Sequence, residues 1–62
     1  MYTIEEAKSV LEEGGIVEIR IEETSNGKVL IADYKEDRTI YTYPITSEGL
    51  VEEEPLNNGE YY

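Results

Sequence analysis

The chain has 62 residues, with fifteen Asp/Glu against five Lys/Arg and neither histidine nor cysteine. A formal charge of −10 repels phosphate and anionic lipid head groups, which disfavours direct nucleic-acid binding and membrane docking. Imidazole and thiol chemistry, disulfides and Cys/His metal sites are excluded within the chain, so packing alone, or burial shared with a partner, must hold the fold. Apolar residues make up 39% and fall into periodic groups, which disorder does not predict. No stretch approaches the ~20 apolar residues of a membrane span, and the acidic first ten residues lack the features of a leader. The expected location is cytoplasmic.

Thr3-Ile4-Glu5-Glu6 has the form of a capping box. Ile4, Ala7, Val10 and Leu11 follow at helical spacing, and Gly14-Gly15 supplies a left-handed stop. The spacing predicts a helix over about 3–13. From Ile16 to Glu23 the period becomes two: Val17, Ile19 and Ile21 face one way, Glu18, Arg20 and Glu22 the other. Asn26-Gly27 reads as a type I′ hairpin turn. That turn places Tyr34 opposite Ile19 and Ala32 opposite Ile21, with Lys35 opposite Glu18 and Asp33 opposite Arg20 on the far face. A second turn at Glu36-Asp37 returns the chain as Arg38 to Ile45, with Thr39, Tyr41, Tyr43 and Ile45 on the face of Leu30, Ala32 and Tyr34. The expected fold is α+β in the order α-β-β-β: an N-terminal helix packed on one face of a three-stranded antiparallel meander. Residues 1–46 form this domain. Residues 47–62 are an acidic C-terminal extension, in which Gly49-Leu50-Val51 offers a short fourth strand or a clip along the sheet edge. Asn57-Asn58-Gly59 reads as turn or tail.

Little catalytic chemistry remains. No nucleophile motif, phosphate-cradling loop or dinucleotide fingerprint occurs, and a carboxylate pair needs a cleft that a domain this small hardly offers. No catalytic residue, cofactor or metal ligand is assigned. Glu52-Glu53-Glu54 and Asp33, Glu36 and Asp37 are rich in oxygen, but three consecutive glutamates on extended chain point alternately apart and the calcium-loop pattern is absent. All six aromatic residues are tyrosine. Tyr34, Tyr41 and Tyr43 fall on the core face, where they either pack with hydroxyls at the rim or line a contact surface. Val29, Ile31 and Ile40 centre the other face, an apolar interface for a homodimer or complex subunit unless the tail covers it with Leu50, Val51 and Leu56.

On the helix, Glu5 and Glu12 form one column and Glu6 and Glu13 another, roughly opposite the apolar stripe. With Glu52, Glu53 and Glu54 they are the candidate partner-binding residues. A polar face is what any amphipathic helix needs, but this one has four acids and only Lys8. Self-repulsion at such charge density opposes compaction; attraction to a basic surface is the clearest compensating gain. Basic surfaces belong chiefly to proteins that bind DNA or RNA. In size, charge and α+β reading the chain resembles small phage or mobile-element inhibitors that mimic DNA, a resemblance that carries over no site residue. The expectation is a small non-catalytic module that binds and inhibits a basic, nucleic-acid-binding protein. Assembly through the outer sheet face is the alternative.

Overall fold

The capping box forms as the sequence requires. Thr3 Oγ1 accepts the Glu6 N–H at 3.1 Å, Glu6 Oε1 accepts the Thr3 N–H at 2.9 Å, and helix α1 runs Ile4–Glu13. Gly14 closes the helix in right-handed conformation, and the positive φ (136°) falls one residue later, on Gly15. The computed structural model describes residues 1–56 and a two-residue strand at 60–61. The expected turn at Asn57-Asn58-Gly59 and the terminal Tyr62 lie outside the described residues. Strands β1 (Glu18–Thr24), β2 (Gly27–Tyr34), β3 (Thr39–Pro44) and β4 (Glu60–Tyr61) make one antiparallel sheet in chain order. Helix and meander thus follow the expected α-β-β-β order.

The first hairpin departs from expectation. Thr24 pairs with Gly27, so Ser25 and Asn26 are the central turn residues. Only Gly27 has positive φ here (122°), whereas type I′ needs it at both central positions. The Thr24 hydroxyl fixes the alternative by donating to the Gly27 carbonyl at 2.8 Å and accepting the Asn26 N–H at 3.2 Å. The register therefore slides by two residues: Ile19 faces Ala32, Ile21 faces Leu30, Arg20 faces Ile31 and Glu18 faces Asp33. A slide of two leaves every side chain on its expected face. The two expected charge pairs persist as diagonals, Arg20 Nη1 to Asp33 Oδ2 at 3.5 Å and Lys35 Nζ to Glu18 Oε2 at 3.4 Å. The β2–β3 register is as expected, with Tyr34 opposite Thr39 and Leu30 opposite Tyr43. Arg38 ends that turn in the left-handed region, at φ 56°.

The tail supplies part of the core. Thr46 N–H donates to Leu50 C=O at 2.8 Å, and Gly49 takes a φ of 86°. This tight reversal lays Val51 between Tyr2 and Ile45, to each of which it bridges antiparallel. Tyr2 and Val51 exchange both backbone hydrogen bonds, at 2.9 and 2.7 Å. Val51 thus joins Ala7 and Leu30 in the buried cluster under the helix, surrounded by Tyr2, Ile4, Leu11, Ile19, Tyr43 and Ile45. It does not cover the outer face, as the sequence reading favoured, and Leu56 stays exposed. Gly49-Leu50-Val51 contributes two isolated bridges, both through Val51, rather than a strand; the fourth strand is Glu60–Tyr61, beside β3.

Two substitutions test this architecture. Val51→Ala is expected to cost about 2 kcal/mol, from lost apolar burial plus a residual cavity, read as a lower urea midpoint; a value near zero would place Val51 outside the core. Arg38→Asn should raise stability by roughly 0.5–1 kcal/mol, because asparagine tolerates the left-handed conformation better than a long side chain does. Denaturation of the two proteins side by side checks the sign.

Candidate functional site

The charges sort by face. Glu18, Arg20, Glu22 and Asp33 lie on the sheet face away from the helix, since Leu30 and Ala32 point to the helix and side chains alternate. Arg20 there contacts Glu22 at 3.4 Å, Asp33 at 3.5 Å and Glu18 at 3.6 Å. Glu18 and Asp33, directly opposite each other, are like charges that would repel; Arg20 reaches both, and Lys35 reaches Glu18. Desolvation works to lower the Arg20 pKa, but the Glu22 hydrogen bond and the charges of Glu22, Glu18 and Asp33 outweigh it and hold the guanidinium more firmly protonated than usual. All four ion pairs among the described residues use Arg20 or Lys35.

Glu5, Glu6, Glu12 and Glu13 are exposed on the helix, as are Glu52, Glu53 and Glu54 on the tail. None of the seven takes part in an ion pair among the described residues, and the last helical turn holds no basic residue. Glu6 is partly committed, since it caps Thr3. The apolar set on the other face is less open than its sequence suggests: Val29 is buried, and Ile31 and Ile40 are half-buried. Among the described residues no group of three or more Asp/Glu is placed to hold a metal ion, and no helix is long and apolar enough to cross a membrane.

The helix side also carries two concavities that meet at Tyr43. The first, about 150 Å³, has an apolar floor of Tyr2, Ala7, Val10, Leu11, Tyr43 and Val51, edged by Glu52 and Glu53. The second, about 260 Å³, lies at the helix C-terminus among Gly14, Tyr34, Asp37, Thr39, Tyr41 and Tyr43. Period-two alternation puts the three tyrosines on one face, and the β2–β3 turn adds Asp37. Tyr41 stands edge-on to Tyr34 (6.2 Å, 87°) and tilted against Tyr43 (6.4 Å, 32°). Tyr34 Oη donates to the Leu11 carbonyl at 2.9 Å, tying the sheet to the helix end. The three tyrosines were visible in the sequence as a shared face. Their meeting with Asp37 and Gly14 was not, because it depends on where the helix ends over the sheet.

No family model, no curated protein and no solved structure matches this chain.

The tyrosine cleft has a pH signature. Burial raises the Tyr34 pKa above its ordinary value, with Tyr41 adding to it; burial likewise raises that of Tyr43, with Tyr34 and Tyr41 adding. The folded state therefore prefers the protonated hydroxyls. That contribution is complete below the unfolded tyrosine value of about 10 and is lost as pH climbs through the higher folded values. The urea midpoint is expected to fall above about pH 10, with the Tyr34 and Tyr43 hydroxyls ionising above the ordinary tyrosine value in absorbance titration. Tyr34→Phe should flatten the fall. A midpoint that does not move with pH across that range would contradict the linkage.

Proposed function

We propose that this protein is a non-catalytic binding module that docks its helix and tail carboxylates on the basic surface of a nucleic-acid-binding protein, and so blocks it. One observation carries this reading: the ion pairs are segregated. Arg20 and Lys35 are spent on the outer sheet face, whereas Glu5, Glu12 and Glu13 on the helix and Glu52, Glu53 and Glu54 on the tail have no cation partner among the described residues. Acids serving solubility alone would be interspersed with cations over the whole surface. Uncompensated carboxylates on one side give a directional field that steers association with a positive partner and makes it salt-sensitive. The two concavities beside the helix lend that side the relief that a specific contact needs. The buried Val29 leaves less apolar area for assembly through the outer face.

The test starts with capture from a lysate at low salt and identification of what is retained. Duplex DNA is expected to compete with this chain for its site on the captured protein. The variant carrying Glu5→Gln, Glu6→Gln, Glu12→Gln and Glu13→Gln keeps its capping box, because glutamine also serves at the third helical position. It should bind on the order of tenfold more weakly, with a flatter salt dependence. Equal affinity with an unchanged salt slope would refute the proposal.

A further inference from the structure

From the tyrosine cleft we infer that this chain holds a receptor site for an arginine side chain, presented by the basic partner. The inference rests on the docking reading for the source of that side chain, and on four features of the cleft itself. Tyr34, Tyr41 and Tyr43 line it, and aromatic faces attract cations through their quadrupole. Asp37, exposed on the β2–β3 turn, contributes a carboxylate. The helix C-terminus closes the third side: Gly14 caps it without a side chain, and no basic residue in the last turn offsets the partial negative charge there. Among the described residues no Lys or Arg lines the space.

Three tyrosines and one acidic residue lining about 260 Å³ suit a cation, and the chemistry of that lining favours guanidinium over ammonium. A guanidinium is planar, stacks on aromatic rings, is weakly hydrated and can fork onto a carboxylate; an ammonium is a compact, strongly hydrated point charge. The Tyr34 hydroxyl is already committed to the Leu11 carbonyl at 2.9 Å. We assign Tyr41 and Tyr43 as the rings that meet the guest and Asp37 as the anion. Tyrosine hydroxyls are neutral at physiological pH, so the site recognises its guest with one formal charge, that of Asp37.

The experiment titrates the full chain, isotope-labelled and at low salt, with blocked Gly-Arg-Gly. The matching lysine peptide and the citrulline peptide, a neutral isostere of arginine, serve as controls. Ring protons of Tyr41 and Tyr43 and the amides of Asp37 and Thr39 should shift saturably with the arginine peptide, less with lysine and not with citrulline. Asp37→Asn, an exposed change that leaves the packing intact, should weaken binding by about two- to fivefold, and Tyr41→Leu by a similar factor. Shifts confined to the helix and tail glutamates, with the rings unmoved, would overturn the cleft and leave the docking reading standing. Equal shifts from citrulline would overturn cation recognition. No saturable response to any peptide would overturn the cleft, and the glutamine variant's salt slope would then judge the docking reading separately.

Discussion

The fold depends on three small apolar contacts brought together from distant parts of the chain: Ala7 from the helix, Leu30 from the central strand and Val51 from the tail. Leu30 is fully buried and Val51 nearly so. With neither cysteine nor histidine in the chain to staple it, a domain of this size has only marginal stability. Each of these residues is therefore a large fraction of the total. Val51 is also the residue that joins the two ends of the domain. Its backbone exchange with Tyr2 fixes the segment that leads into the Thr3 cap, so the start of the helix and the turn after β3 are set together.

That arrangement governs the electrostatics. Because the helix and tail are tied to one side of the sheet and the Arg20 cluster sits on the other, Arg20 and Lys35 cannot serve both. Arg20 and Lys35 relieve the opposition of Glu18 and Asp33, a necessity of the β1–β2 register. Glutamates on the helix are left to solvent. The segregation of the ion pairs thus follows from a register requirement inside the sheet, and it is the physical basis of the docking role proposed for the helix side.

Tyrosine suits that side for a related reason. A core built with phenylalanine would bury its rings just as well, but a phenolic ring can serve both the core and the rim. Tyr43 does so most plainly, packing against the buried cluster while it borders both concavities. Tyr34 spans sheet and helix through its bond to Leu11. Core and rim are therefore continuous on this face.

Read alone, the sequence determined whatever rests on neighbours along the chain. The capping box, the glycine stop, the alternation of β1 to β3 and the face each side chain occupies follow from contacts a few residues apart and from the periods 3.6 and 2. The second hairpin register was also legible, since a tight turn at Glu36-Asp37 puts Tyr34 opposite Thr39. What only the tertiary structure decided are matters that local rules leave degenerate. Two registers differing by two residues bury the same side chains and permit the same charge pairs, and the Thr24 hydroxyl, not the Asn26-Gly27 pair, settled the choice. The destination of Val51 was hidden because its one apolar neighbour, Leu50, sets no period; its place was fixed by the vacancy between Tyr2 and Ile45. The gathering of Asp37, Gly14 and three tyrosines into one cleft depended on where the helix ends above the sheet, a distance no pattern within a single segment encodes.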